Sequence, residues 1–327
     1  MKTFNNLFEK TISLENLFSS WNEFKKEKQT RPDVMKFEFN LEQNIFQLHN
    51  ELKNKTYKHD FYILFTINDP KPRNIHKASI KDRIVHHAVF KTLNIIFDPT
   101  FIYNSYSCRI NKGTHRGINN LEKIARKVSK NNKIPCFVLK CDIKKFFASI
   151  DQKILLLIIR GKIKDNNMFF LTKEIIASFP VGLPLGNVTS QLFANIYLNK
   201  LDQFIKQKLK IPFYIRYTDD FVIISENKEK LLYWLSQIKQ FLSNELLLEL
   251  HPNKVFIRKY QQGIDFLGYI QFPHHRTLRK GTKKRIINKI RHGISEQSLQ
   301  SYLGVLSHAN EYNYGEKIKN LFWLNQK

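Results

Sequence analysis

Apolar residues recur every three or four positions near the N-terminus, and this period is that of an amphipathic α-helix. One such run includes Trp21 and Phe24, and a second begins at Phe39, after the turn around Pro32. The spacing predicts two amphipathic helices, so we expect residues 1–55 to form a helical extension.

The pattern then alternates between strand and helix periods. Residues 57–75 are rich in aromatic and β-branched types, and the interruption at 68–72 predicts a hairpin with a basic, proline-stiffened tip. Helical periods return at 82–97 and at 154–179, where they predict one helix and then one or two. Between them, the short apolar run 136–141 predicts a strand.

The second half of the chain continues this mixture. A helical stripe follows Gly186, and Asn187 or Thr189 can cap that helix. Two β-rich runs then flank residues 218–220, which predicts a hairpin with acidic residues at its turn, and a helix is expected at 231–242. The predicted fold class is α/β (α+β), with antiparallel strands backed by helices.

The excess of basic over acidic residues bears on which kind of molecule the protein binds. Lys and Arg total 54 against 28 Asp and Glu, a formal net charge of +26. Such a surplus repels itself unless a polyanion shares the surface, so nucleic acid is the favoured partner, with an acidic membrane surface as the alternative. Residues 276–291 concentrate basic side chains on a predicted helix, which either tracks a phosphate backbone or is simply solvated.

Cysteine content and hydropathy bear on location. The three cysteines form no CxxC pair, which suits reduced intracellular thiols better than a disulfide framework or a zinc site. The longest clean apolar run, 154–159, is too short to cross a bilayer. We therefore expect a cytoplasmic protein with no membrane association.

Three carboxylates stand where predicted strands end. An apolar strand leads into Asp142, and the hairpin turn presents Asp219 and Asp220. Side by side they would form an anionic pocket for two divalent cations, one activating a primer 3′-hydroxyl and the other neutralising a triphosphate. An Asp-Asp pair between strands is also a common turn element, so the neighbouring motifs decide between the two interpretations.

Those motifs carry a family resemblance. Tyr217–Asp220 resembles the YxDD box of reverse transcriptases, and Asp142–Phe147 resembles their first catalytic palm motif. Arg73–His87 and Ser105–His115 resemble their fingers motifs, and Phe266–Tyr269 their primer grip. The resemblance implies a right-hand polymerase with an N-terminal extension at 1–55, fingers at 56–135, a palm at 136–272 with fingers-side helices at about 152–180, and a short helical thumb at 273–327.

One segment narrows the resemblance. Most reverse transcriptases have Gln where Leu185 stands and Pro where Gln191 stands. The LGxxxSQ form is similar to reverse transcriptases of diversity-generating retroelements, within the group II intron-like bacterial superfamily. This implies copying of a retroelement template RNA into cDNA, with errors at adenines that serve mutagenic retrohoming. The implied partners are template RNA, cDNA, dNTPs and a small basic accessory protein that forms a pentameric barrel.

The resemblance also implies site residues by position. Two Mg²⁺ ions, for which Mn²⁺ can substitute, would be held by Asp142, Asp219 and Asp220, with Ile143 in the metal site. Phe147 would be the steric gate against a ribose 2′-hydroxyl. The implied nucleotide-binding residues are Lys71, Arg73, Phe147, Leu185, Gly186, Gln191 and Lys254. The implied template- and primer-binding residues are Arg109, Tyr217, Phe266, Leu267, Gly268, Lys283, Lys284 and Arg285.

Several of these residues have a structural interpretation beside the functional one. Lys71 can be solvated surface charge, and Arg109 can be a buried arginine that stabilises packing. Leu185 can be a core leucine, and Lys254 can lie in a surface turn. Gln191 can cap its own helix.

Rival functions stay open. A defence-associated or retron-like reverse transcriptase would share the metal site, although the retron-type Val-Thr-Gly signature is absent. A group II intron protein is disfavoured as an expectation, because the chain ends at Lys327 without room for a maturase or endonuclease extension. A non-catalytic RNA-binding protein with a polymerase fold belongs to another class, and it would not require the three carboxylates.

Overall fold

The computed structural model describes residues 2–69 and 71–325, which form two compact units. The first unit comprises Met1–Ile102, Lys144–Phe204 and Gln240–Glu249. The second comprises Tyr103–Ile143, Ile205–Lys239 and Leu250–Lys327. The mixture of helices and antiparallel sheets confirms the predicted fold class. The subdomain bounds stay a prediction.

Helices dominate the described residues. In chain order they are α1 (Phe8–Ile12), α2 (Leu14–Lys25), α3 (Pro32–Phe39), α4 (Leu41–Lys53), α5 (Ile80–Phe97), α6 (Thr114–Val128), α7 (Phe146–Ser149), α8 (Gln152–Arg160), α9 (Asn166–Ala177), α10 (Val188–Gln203), α11 (Lys228–Leu246), α12 (Lys280–Arg291), α13 (Glu296–Leu306) and α14 (Tyr312–Leu324). No helix in the described ranges is long and apolar enough to span a bilayer.

The strands are short, and every pairing between them is antiparallel. In chain order they are β1 (Ile63–Ile67), β2 (Arg73–Lys77), β3 (Phe137–Asp142), β4 (Tyr214–Tyr217), β5 (Asp220–Ser225), β6 (Phe256–Lys259), β7 (Ile264–Phe266), β8 (Tyr269–Gln271) and β9 (Arg276–Leu278).

The first unit is built around α5, which packs against α2 and α10. Ser13 caps α2 by accepting a hydrogen bond from the Asn16 amide, and Pro32 occupies the first turn of α3, where its missing N–H costs nothing. The N-terminal segment is helical as predicted, but it contains four helices instead of two. The β1–β2 hairpin is also as predicted, although Pro70 at its tip lies outside the described residues.

A buried carboxylate ties the segment before β1 to α5. Asp82 is fully buried and accepts hydrogen bonds from the Tyr57 hydroxyl at 2.7 Å, the Ser79 hydroxyl at 2.7 Å and the Asp60 amide at 3.1 Å. Burial, and the negative charge of Asp82, raise the pKa of Tyr57 well above its usual value. Because an unpaired buried charge is costly, this cluster is a stabilising element of the first unit.

The second unit contains a four-stranded sheet in the order β4-β5-β3-β6. Most residues of β3, β4 and β5 are buried, and Val138, Ile215 and Val222 are fully buried. Helix α6 packs against β4 and β5. A second sheet, β7-β8-β9, precedes the C-terminal helices α12–α14, and their apolar faces join the same core.

The basic segment at 276–291 is only partly the helix that its sequence predicted. Arg276 lies in β9 and is 6% exposed, whereas α12 begins at Lys280. The phosphate-tracking role proposed for the whole segment therefore does not extend to Arg276.

Candidate active site

Strand register brings two of the three predicted carboxylates together. Asp142, the last residue of β3, is directly opposite Asp220, the first residue of β5. Tyr217 of β4 pairs with the same Asp220, so Thr218 and Asp219 form a two-residue turn. Like charges on directly opposed residues destabilise a sheet, which indicates a functional reason for this pair.

The turn that carries Asp219 is strained and firmly held. Thr218 has a φ of +52°, a left-handed conformation that is unfavourable for a β-branched residue. Its hydroxyl donates to Ser107 Oγ at 2.6 Å, and its carbonyl accepts from Arg216 at 3.1 Å. The Ile143 amide donates to the Asp219 carbonyl at 3.2 Å. Strain of this kind persists where surrounding contacts over-determine it, commonly at functional sites.

The electrostatic environment of Asp220 is unusual. Burial raises its pKa to about 7, and the charges of Asp142 and Asp219 act in the same direction, while Lys140 opposes them. Lys140 Nζ lies 3.3 Å from Asp220 Oδ2, and the lysine side chain is 9% exposed. Asp220 Oδ1 is buried without a hydrogen-bond partner. The sequence did not predict a role for Lys140, because a single charged residue inside an apolar strand does not indicate its partner.

A second lysine pairs with the other carboxylate. Lys254 Nζ lies 2.9 Å from Asp142 Oδ1, and the His251 amide donates to the Asp142 carbonyl at 2.7 Å. Lys254 therefore lies at the carboxylate cluster and not in a remote surface turn.

The donor set suits a hard divalent cation. In the described ranges no three His, Cys, Asp or Glu side chains are arranged to hold a metal, and two of the three carboxylates contact lysines instead. The buried, partnerless oxygen of Asp220 and its raised pKa are both relieved by a nearby cation. The Ile143 side chain is apolar and 1% exposed, so this residue can contribute only its backbone carbonyl. The oxygen atoms of Asp142, Asp219, Asp220 and the Ile143 carbonyl are of the hard type that Mg²⁺ prefers.

The predicted nucleotide-binding residues other than Lys254 lie in the first unit. Lys71 and Arg73 are exposed on the β1–β2 hairpin. Phe147 is half-buried in α7. Its carbonyl accepts a hydrogen bond from the Leu183 amide at 2.8 Å, which fixes the residue in place. A Cβ added to Gly182, whose φ is +69°, would lie 2.3 Å from that carbonyl oxygen. Glycine at position 182 is thus required for the close approach that seats Phe147.

Leu185, Gly186 and Gln191 occur together at the start of α10. The Leu185 carbonyl accepts from the His76 amide at 3.0 Å, which ties this loop to β2. Leu185 is half-buried, whereas Gln191 is exposed in the first turn of the helix. Asn187, one of the two residues expected to begin this helix, stands at the N-cap position, but its side chain makes no capping hydrogen bond.

Gly186 and Gln191 line a cationic pocket of about 310 Å³. Three of the residues that line it, Asn187, His76 and His86, each have a buried side-chain nitrogen without a hydrogen-bond partner. Burial lowers the pKa of His86 well below its usual value, so it is neutral. Four cationic side chains also line the pocket: Lys28, Arg31, Lys77 and Arg83. No sequence pattern predicted this pocket, because its residues are distant along the chain.

The predicted template- and primer-binding residues lie in the second unit. Tyr217 is half-buried, and its hydroxyl accepts from Thr114 at 3.4 Å. Arg109 donates to the Ser105 carbonyl at 3.2 Å, a contact expected of a packing residue. Phe266 is fully buried and cannot contact a primer with its ring.

The turn and helix beyond Phe266 are more accessible. Leu267 and Gly268 have φ values of +52° and +92° and form the turn between β7 and β8. Lys283 Nζ lies 2.5 Å from the buried Glu311, so it faces the helical bundle. Lys284 and Arg285 line a shallow groove on α12 and remain candidates for phosphate contact.

Comparison with known proteins identifies a family and several similar sequences. The sequence profile of the family "Reverse transcriptase (RNA-dependent DNA polymerase)" matches residues 58–271, which is more than half of the chain. The group II intron-encoded protein LtrA of Lactococcus lactis subsp. cremoris is 25% identical over 324 residues, covering 77% of this chain and 52% of that protein. Protein YkfC of Escherichia coli (strain K12) is 23% identical over 255 residues, covering 65% of each.

Another match covers a smaller part of both proteins. The uncharacterized 91 kDa protein in cob intron of Schizosaccharomyces pombe is 30% identical over 146 residues, or 42% of this chain and 17% of that protein. The chain thus spans about half the length of LtrA and less of the intron protein. Because the family profile matches more than half of the chain and includes the carboxylate hairpin, the chain belongs to the reverse transcriptase (RNA-dependent DNA polymerase) family.

Proposed function

We propose that the protein is an RNA-directed DNA polymerase that extends a primer by a two-metal mechanism. The observation that carries the proposal is the opposition of Asp142 and Asp220 across β3 and β5, with Asp219 at the adjoining turn. An RNA-binding protein would gain nothing from burying these carboxylates, since they repel both one another and nucleic acid.

The carboxylates and the Ile143 carbonyl would hold two Mg²⁺ ions. When bound, the ions supply Lewis-acid chemistry that lowers the pKa of the primer 3′-hydroxyl and neutralises the triphosphate. The turn at Thr218 fixes the Asp219 backbone before substrate arrives, and Lys140 keeps Asp220 oriented and favours its ionised form. Lys254 carries a proton at the site, where the departing pyrophosphate can accept it.

Phosphate recognition in the first unit supports the same function. The pocket at Gly186 and Gln191 is lined by four cationic side chains and lies at the start of α10, which suits a phosphate or a base edge of nucleic acid. Lys71 and Arg73 are exposed and free to follow an incoming triphosphate.

The subtype is a finer proposal. The LGxxxSQ segment and the Ser105–His115 block support a diversity-generating retroelement enzyme that copies template RNA with errors at adenines. Leu185 occupies the position beside the pocket where a polar Gln would check base-pair geometry. The proposed partners are template RNA, cDNA and the small basic accessory protein.

A group II intron-type reverse transcriptase is the second candidate, because the relatives described above include intron-encoded proteins. The expectation that disfavoured it rested on chain length, which does not decide the matter. The two candidates differ in fidelity, and fidelity can be measured with one enzyme on one template.

The test is primer extension on an RNA template with Mg²⁺, followed by sequencing of the cDNA from wild type and Leu185→Gln. The diversity-generating proposal expects errors concentrated opposite adenines, and fewer such errors in the variant. Errors spread evenly over the four template bases would contradict it and favour the intron-type enzyme. Template binding without synthesis would contradict the polymerase proposal itself.

A further inference from the structure

Arg276 is the most densely bonded arginine of the C-terminal region among the contacts described. Its Nε donates to Gln271 at 2.7 Å, and its Nη1 donates to Asn119 at 2.9 Å and to the His308 carbonyl at 3.1 Å. Its Nη2 lies 3.2 Å from Glu122 Oε2. One buried guanidinium therefore joins α6, β8 and the turn between α13 and α14.

The backbone around Arg276 extends the same connection. Its amide donates to Asn310 Oδ1 at 2.9 Å, and its carbonyl accepts from the Asn310 amide at 2.8 Å. Nearby, the rings of His115 on α6 and His308 stack with their centroids 3.6 Å apart. Side chains and backbone thus fasten the turn before α14 to both β9 and α6.

The chemistry of this cluster requires arginine. A guanidinium presents its donors in a planar fork, whereas a lysine ammonium is a single point charge that cannot reach acceptors on three elements at once. Burying a cation is costly unless its hydrogen bonds are satisfied. A basic residue that served only as surface charge would stay in water and would not require these partners. The cluster is a specific connection and not part of the surface charge.

The elements it joins are those that would handle a duplex. Helix α6 packs against β4 and β5, the strands that carry Tyr217, Asp219 and Asp220 at their turn. On the other side, α12 bears the groove with Lys284 and Arg285. A displacement of the C-terminal helices would therefore move a phosphate-binding surface relative to the carboxylates.

We propose that Arg276, with Glu122 and Asn119, is a positioning latch that holds the C-terminal helices α12–α14 in register with the carboxylate hairpin. This inference rests on the proposed polymerase function. The latch contacts neither nucleotide nor metal, so it governs how long the primer–template duplex stays bound and how far it is extended. The rate of adding one nucleotide to a bound duplex does not depend on it.

The test compares Arg276→Lys with the matched control Arg126→Lys. Arg126 also contacts Glu122, at 2.9 Å, but it is exposed and lies on α6 with its partner. Asn119→Ala is a milder second variant that removes one acceptor and keeps the buried charge paired. Melting curves establish the folded fraction of each variant.

Two measurements follow on the folded protein. The first is dissociation of a fluorescent primer–template duplex without dNTPs, and the second is product length in the presence of a heparin trap, alongside the rate of a single addition. We expect Arg276→Lys to speed dissociation roughly tenfold, the effect of losing one or two buried hydrogen bonds, and to shorten products, with Asn119→Ala intermediate. Single-addition rates and the control should match wild type.

Two outcomes would overturn the latch. Dissociation and product length unchanged in Arg276→Lys would show that the connection does not position the helices. A single-addition rate that falls in proportion to the folded fraction, with normal dissociation, would show a purely structural role. Because dissociation is measured without synthesis, it tests the latch even if the polymerase proposal fails.

Discussion

The hydrogen bond between Thr218 and Ser107 offers a test of the strained turn without touching a carboxylate. The two hydroxyl oxygens are 2.6 Å apart, and Ser107 is 3% exposed. Thr218→Val keeps the shape of the residue and its left-handed strain but removes the hydroxyl. Ser107→Ala removes the other partner. Each substitution removes the hydrogen bond, and Thr218→Val leaves the buried Ser107 hydroxyl with one partner fewer.

The expected magnitudes follow from these contacts. Each single substitution should lower the free energy of unfolding by about 1–2 kcal/mol, the usual cost of a lost hydrogen bond with a buried partner. The double variant should cost less than the sum, with a coupling energy of about 1 kcal/mol. The left-handed Thr218 stores roughly 1–2 kcal/mol, and partial relaxation of the turn would displace Asp219. If about 1.4 kcal/mol of transition-state stabilisation is lost, the rate falls tenfold.

The assay combines urea unfolding of the four proteins in the cycle with single-turnover nucleotide addition at saturating dNTP. Thr277→Val, a half-buried threonine of β9 in the same unit, controls for the loss of a hydroxyl. Strictly additive unfolding energies would show that the bond does not couple the residues. Addition rates equal to wild type in Thr218→Val would refute the claim that this turn positions Asp219.

Three further predictions concern stability and reactivity. Asp82→Ala should lower the free energy of unfolding by about 3–5 kcal/mol in denaturant melts, because it leaves a buried tyrosine hydroxyl and an amide without their acceptor, and a loss below 1 kcal/mol would contradict this. Burial holds the pKa of His86 well below its usual value, so the unfolded chain binds the extra proton as pH falls below about 6.5; stability should therefore drop on acidification, and less steeply in His86→Asn. A thiol reagent should modify exposed Cys108 in the native protein and all three cysteines after unfolding, because Cys136 and Cys141 are fully buried and burial raises the pKa of Cys136 to about 12.

Local patterns predicted the elements that carry the carboxylates. The strand ending at Asp142 and the hairpin at Asp219 follow from apolar runs and turn residues, and both lie where expected. The two predicted N-terminal helices correspond to α2 and α4, whereas α1 and α3, which are only five and eight residues long, are too short to show a clear apolar period. The spacing of apolar residues indicates which face of a helix is buried, but it does not indicate where the helix is interrupted.

Contacts between distant residues could not be read from the sequence. The cationic pocket joins Lys28 to Asn187, and these residues meet only because α2, α5 and α10 pack together. Lys283 and Arg276 were grouped with surface charge, yet one pairs with Glu311 and the other is buried in a network. A basic residue in a basic segment carries no local sign of its partner, since tertiary packing decides it.

The most direct test of the carboxylate site is Mg²⁺-dependent dNTP incorporation on a primed RNA template by wild type, Asp219→Ala and the control Asp265→Ala. Asp265 is an aspartate of the same unit whose partner is Arg279, 2.5 Å away, and not the hairpin. We predict that wild type and the control synthesise cDNA, and that the rate falls at least a thousandfold in Asp219→Ala. This loss corresponds to about 4 kcal/mol of transition-state stabilisation. Equal synthesis by all three proteins would contradict the assignment of Asp219, Asp220 and Asp142 as the catalytic centre.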